Sequence, residues 1–216
     1  MDNHQRYFIT VLILLIWIKI IGGNSIKIQP FSFPPDSAIG KRVSVTCTPL
    51  TGEKIEFKWL RNGVEINNDR PRIQIGSLPL LSNLIIDPLQ SDDSGNYTCF
   101  VTSRGLTGSY TTSLDVLVPA SWIIAPSDID ASSGDSLMMN CKGTGKPEPV
   151  VIWSKLHGEN SGSVLSSGSS HFNIFSNGSL YIENIAKEDE GMYKCNVSNG
   201  IGKSLIKTVV IKVIGM

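Results

Sequence analysis

The chain has 216 residues, 41% of them hydrophobic, with 19 basic and 19 acidic side chains that cancel at neutral pH. This composition excludes a disordered polyelectrolyte. It also argues against a nucleic acid or another polyanion as partner, because no basic stripe or acidic tail is present. The length suits one or two globular domains. At the start, Arg6 precedes an apolar run from Phe8 to Ile18, broken by Thr10 and followed by Gly22, Gly23 and Ser25. A positive charge, a short apolar stretch and small residues predict a secretory signal peptide over residues 1–25, cleaved between Gly22 and Ser25 and too short to span a membrane.

A first domain is expected over residues 26–118. Val43, Val45 and Cys47 alternate with Ser44 and Thr46, the period of a strand with one buried face. Phe57 and Trp59 continue on a second strand, and Asn62-Gly63 predicts a tight hairpin turn. Ile73 and Ile75 flank Gln74. Leu84, Ile86 and Leu89 lead to Asp92-Asp93-Ser94-Gly95, a corner before Tyr97 and Cys99. Residues 110–118 read as a closing strand. Pro119-Ala120-Ser121 then predicts a short, stiff linker.

The second domain, expected over residues 122–213, repeats the first. Cys141 and Trp153 stand as far apart as Cys47 and Trp59, and Asp189-x-Gly191-x-Tyr193-x-Cys195 repeats Asp93-x-Gly95-x-Tyr97-x-Cys99. Leu180, Ile182 and Ile185 lie as far before Cys195 as Leu84, Ile86 and Leu89 lie before Cys99. The Ser- and Gly-rich stretch 157–170 reads as a long mobile loop, and Asn199 with Gly202 shapes the last hairpin. Residues 214–216 end the chain, and no membrane span or lipid-anchor tail is expected after residue 213.

A Cys on one strand, a Trp on the next, and a Tyr two residues before a second Cys is the framework of an immunoglobulin sandwich. The fold expected is therefore all-β, with two tandem I-set Greek-key sandwiches after the signal peptide. In an oxidising compartment the repeat pairs Cys47 with Cys99 and Cys141 with Cys195. Metal binding is disfavoured, because no C-x-x-C pair and no His near a Cys is present. No cofactor is expected.

Catalytic residues are not legible. His4, His157 and His171 lie in the leader or in and beside the Ser-rich stretch, and a triad needs side chains on rigid elements. Gly143-Thr144-Gly145-Lys146 lacks the spacing of a phosphate loop. Asp93 and Asp189 are expected to be structural corner carboxylates, with Arg72 as the partner of Asp93. Asn96, Asn177 and Asn196 each head an N-glycosylation sequon. By strand alternation Asn96 and Asn196 point outward on the sheet of the second Cys, while Asn177 lies in a turn. A glycan at Asn96 hinders approach to that sheet and leaves the opposite face of domain one free. Its outward positions are Arg42, Ser44, Thr46, Arg72, Gln74, Asn83 and Ile85.

The wording of the chain resembles the Down syndrome cell adhesion molecule (Dscam) family of arthropods. The runs that carry the likeness are Ile28-Gln29-Pro30-Phe31-Ser32-Phe33-Pro34-Pro35, Phe57-Lys58-Trp59-Leu60-Arg61-Asn62-Gly63, Pro119 to Trp122, Ser176-Asn177-Gly178-Ser179-Leu180 and Ser198-Asn199-Gly200-Ile201-Gly202. It is nearest to that family's seventh and eighth immunoglobulin domains and to short Dscam-like proteins of chelicerates. The resemblance implies homophilic cell–cell adhesion at the plasma membrane, in neuronal self-recognition, axon guidance or immune recognition. Domain one then pairs antiparallel with its twin through the face just described. A different reading is a secreted immune factor that binds microbial surfaces. On either reading the partner is extracellular, and in the first it is a protein.

Overall fold

The computed structural model describes residues 25–67, 71–158, 161–167 and 171–215. The expected signal peptide, residues 1–25, lies outside the described residues but for Ser25. The regular structure of the described chain is β-strand apart from two short 3-10 turns, and the chain forms two compact units.

The first sandwich contains β1 (Val43–Cys47), β2 (Glu56–Arg61), β3 (Val64–Glu65), β4 (Ile73–Leu78), β5 (Leu81–Ile86), β6 (Gly95–Ser103) and β7 (Leu106–Leu114). One sheet has the order β1-β5-β4 and the other β3-β2-β6-β7. In β1, Val43, Val45 and Cys47 are buried while Ser44 and Thr46 are exposed, as the alternation requires. Tyr97, Cys99 and Val101 turn inward from β6, and Ser82, Leu84 and Ile86 from β5. The Asn62-Gly63 turn has positive φ at both residues (50° and 82°), as a type I′ hairpin needs. Asn62 also clasps the neighbouring strand, its Oδ1 accepting the Asn96 N–H at 2.9 Å. Phe31 and Phe33 cover the core, with ring centroids 5.5 Å from Trp59 and 5.2 Å from Tyr97.

The second sandwich contains β8 (Val118–Ile124), β9 (Ile129–Ser132), β10 (Leu137–Met139), β11 (Lys142–Lys146), β12 (Val150–Leu156), β13 (Gly162–Val164), β14 (Phe172–Ile174), β15 (Leu180–Ile182), β16 (Gly191–Ser198) and β17 (Leu205–Ile214). Its sheets are β10-β15-β14 and β13-β12-β16-β17-β9, with a two-stranded β11-β8 ladder beside them. β9 runs parallel to β17, whereas the other strand pairs are antiparallel.

Three sequence expectations change here. The closing strand of the first sandwich spans Leu106–Leu114, earlier than residues 110–118. Pro119-Ala120-Ser121 is not a free linker: it lies inside β8, paired with β11 through Ser121–Thr144 and Val118–Lys146. Ala120 joins the second core, and Asn199 Nδ2 donates to the Val118 carbonyl at 2.8 Å. The proline therefore sits in a short ladder whose other strand supplies the contacts, a place where a missing N–H is tolerated. Within 157–170, Gly162–Val164 forms the edge strand β13 on β12, since backbone pairing is available even to Ser and Gly.

Candidate functional site

Both expected disulfides are present, Cys47–Cys99 and Cys141–Cys195, with Cα–Cα distances of 6.3 and 6.7 Å. All four cysteines are fully buried, and so are Trp59 and Trp153 beside them. Each indole satisfies its N–H differently. Trp59 Nε1 donates to Ser82 Oγ at 3.0 Å, and Trp153 Nε1 donates to the Gly178 carbonyl at 2.9 Å.

The corner motif works through its carboxylate. Asp93 Oδ2 accepts the Gln90 N–H at 2.7 Å, and Asp189 Oδ2 accepts the Ala186 N–H at 2.8 Å, each across a short 3-10 turn. Gly95 and Gly191 follow with φ of 153° and 145°. At Gly95 a Cβ would stand 2.8 Å from Asn62 Oδ1, so the hairpin clasp requires glycine there. The Tyr193 hydroxyl donates to the Asp189 carbonyl at 2.9 Å, the return bond expected at this corner. Burial, and next the Asp189 charge, pushes the Tyr193 phenol far above its usual range.

That shift has a definite sign. The folded state keeps the proton where the unfolded chain releases it, near pH ~10. The contribution of Tyr193 is therefore complete below that pH and is lost as pH rises beyond it. Alkaline titration followed by tyrosinate absorbance is expected to show the Tyr193 phenol ionising only as the chain unfolds. Tyr193→Phe lowers the amplitude of that phase by one phenol and lowers stability at neutral pH by about 1–2 kcal/mol. A phenol count that titrates freely in the folded wild type would contradict this assignment.

The expected partner of the first corner, Arg72, donates from Nη1 to the Pro88 carbonyl at 3.2 Å. In the second domain His171 takes the place of Arg72, each lying just before the first residue of its strand. His171 Nε2 stands 2.8 Å from Asp189 Oδ1, a carboxylate that is almost fully buried. Sequence reasoning left His171 in the Ser-rich stretch; its position one residue before Phe172, matching Arg72 before Ile73, was the available signal. His157 instead contacts Ser163 Oγ across the β12–β13 hairpin. The two histidines thus serve separate places, and no group of three metal-ligating side chains occurs among the described residues.

Five of the seven expected outward positions lie in the paired strands β1, β5 and β4. Ser44, Ile85 and Gln74 form one cross-strand row, and Thr46, Asn83 and Gly76 form the next. Thr46 Oγ1 donates to Asn83 Oδ1 at 2.7 Å, and Arg42 faces Asp87 at 3.9 Å at the end of the face. Ile85 is half-buried between its neighbours. Gly76 has open space where a side chain would stand, which flattens the surface. Asn96, in the β3-β2-β6-β7 sheet, is exposed on β6 opposite Ser113 of β7, and Asn177 is exposed in the β14–β15 turn. Asn196 alternates with buried Cys195 and Val197, so it lies on the outer face, yet it is less exposed than Asn96. It is half-buried because Ile152 and Ile206 stand on either side of it.

Two disulfide-bridged sandwiches with filled cores define a pair of immunoglobulin domains. The comparisons agree: residues 121–212 match the immunoglobulin I-set domain family and residues 27–103 an immunoglobulin domain family. The chain belongs to the immunoglobulin superfamily, and within it the chain is similar to the Dscam cell adhesion molecules. It is 31% identical to human DSCAM over 188 residues, covering 86% of this chain. It is 32% identical to Drosophila melanogaster Dscam1 over 190 residues, or 87% of this chain, and 33% identical to human DSCAML1 over 193 residues, or 86%. The chain spans only 9% of the length of each of these relatives. A crystal structure of the N-terminal eight Ig domains of DSCAM isoform 1.30.30 superposes with a TM-score of 0.72 at 30% identity, over 88% of this chain and 25% of that one. Titin domains I67–I69 superpose with a TM-score of 0.70 at 25% identity, over 87% and 64%. Among the described residues no helix is long and apolar enough to cross a membrane.

Proposed function

We propose that this chain is an extracellular adhesion and recognition module that binds a second copy of itself through the β1-β5-β4 face of its first domain. The observation that carries the reading is the asymmetry of that sandwich. One sheet bears the exposed sequon residue Asn96, and the other presents a flat face of small and polar side chains around Ile85 without a sequon. A glycan on the first sheet would hinder docking there. The opposite face, with Gly76 and Ser44 beside Ile85 and Gln74, permits close approach of an identical sheet. Likeness to cell adhesion molecules favours the same role, and the paired cysteines suit an oxidising compartment.

Such contacts are weak singly and act through many copies, so display on beads is the suitable assay. Beads carrying the wild-type chain are expected to aggregate. Ile85→Arg with Gln74→Arg abolishes aggregation, because the self-facing surfaces then bring like charges together. Gly76→Arg does the same by bulk alone. Asn96→Gln leaves aggregation intact. Beads of the Ile85→Arg, Gln74→Arg variant that aggregate like the wild type would remove this surface from consideration.

A further inference from the structure

We infer that Asn196 carries an N-linked glycan whose first sugar lies on Ile152 and Ile206, so that carbohydrate covers this part of the outer face of the second sandwich. In the register of β12, β16 and β17, Asn196 stands directly between these two isoleucines. Their exposure is 42% and 59%, too high for residues that belong to the core. Exposed Val150 lies beside Ser198, the last residue of the same sequon. Single exposed apolar residues are ordinary, but here they bracket a site for a specific modification.

The amide itself is held partly within this apolar surround. Asn196 Oδ1 is buried and has no hydrogen-bond partner among the described residues. Nδ2, the other end of this amide, is the atom to which the sugar is joined. N-acetylglucosamine has a C–H face and an acetamide methyl, which bury apolar surface against aliphatic side chains. The contrast with the first domain is direct: Asn96 faces Ser113, so a glycan there meets a hydroxyl and extends into solvent. Carbohydrate at Asn196 would also keep this face from serving as a protein interface.

The inference rests on export through the secretory pathway but not on self-association through the first domain. The test uses the full chain secreted from cultured cells blocked in glycan processing. Glycopeptide mass spectrometry is expected to find Asn196 occupied. Endoglycosidase treatment of the folded chain, leaving one sugar, is expected to keep ANS fluorescence at the wild-type level. Complete enzymatic removal of the glycans, or Asn196→Gln, raises the signal, and adding Ile152→Lys with Ile206→Lys abolishes the rise. Asn177→Gln leaves the signal unchanged. Three results would overturn the inference. The first is a bare Asn196 in exported protein, and the second is an ANS signal indifferent to Asn196→Gln. The third is a dimer of the glycosylated chain in sedimentation that Ile152→Lys and Ile206→Lys dissociate, since a second copy would then occupy the face.

Discussion

Replacing Cys141 and Cys195 together by alanine is expected to lower the thermal midpoint of the second domain by roughly 20 °C, from about 4 kcal/mol of lost stability at several degrees per kcal/mol. The bridge closes a loop of sequence separation 54. Without it the unfolded chain regains the freedom of that loop, which favours unfolding. The folded state loses packing as well, because both sulfurs are fully buried in the cluster that holds Trp153, Leu180 and Val197. A domain of this size holds a net stability of about 5–15 kcal/mol, so the loss takes roughly a quarter or more of the total. Differential scanning calorimetry of the variant against the wild type reads the shift. A midpoint within a few degrees of the wild type would show that the fold stands on noncovalent packing alone.

Gly178→Ala is expected to destabilise the second domain by roughly 3 kcal/mol, an unusually large effect for adding one methyl group. Its φ of 89° is costly for any residue with a Cβ. That Cβ would also stand 2.2 Å from the Cys141 carbonyl oxygen and 2.8 Å from Val151 Cγ2. Neither neighbour yields readily, since one is backbone next to the disulfide and the other packs against the core. The turn must move, and the bond from Trp153 Nε1 to the Gly178 carbonyl goes with it. Gly76→Ala serves as the comparison: its Cβ meets nothing within 4 Å, and a change of no more than about 0.5 kcal/mol is expected. Urea unfolding of both variants separates the two outcomes, and equal midpoints would refute the steric account.

The framework was legible because its residues are demanding in kind. A disulfide across two sheets needs cysteine, a filled core needs tryptophan at one depth, and the corner needs a carboxylate, a glycine and a buried tyrosine in fixed order. Alternation along β1, β5 and β6 then separated inward from outward side chains, and Ser44, Thr46, Gln74, Asn83 and Ile85 stand in two cross-strand rows. Pairing between distant strands was not legible. Ser121 meets Thr144 and Val118 meets Lys146 through backbone bonds, to which side-chain identity contributes little, so a Pro-Ala-Ser stretch passed for a linker. β13 escaped notice for the same reason.

The sequence by itself determined which residues cross-link and fill each sandwich, because that chemistry belongs to particular side chains at set spacings. Tertiary structure alone decided that His171 meets Asp189, that Asn62 clasps β6, and that Ile152 and Ile206 flank Asn196. Each of those contacts joins separate strands, and their neighbourhood depends on register, which the sheet as a whole sets and no local run of residues encodes.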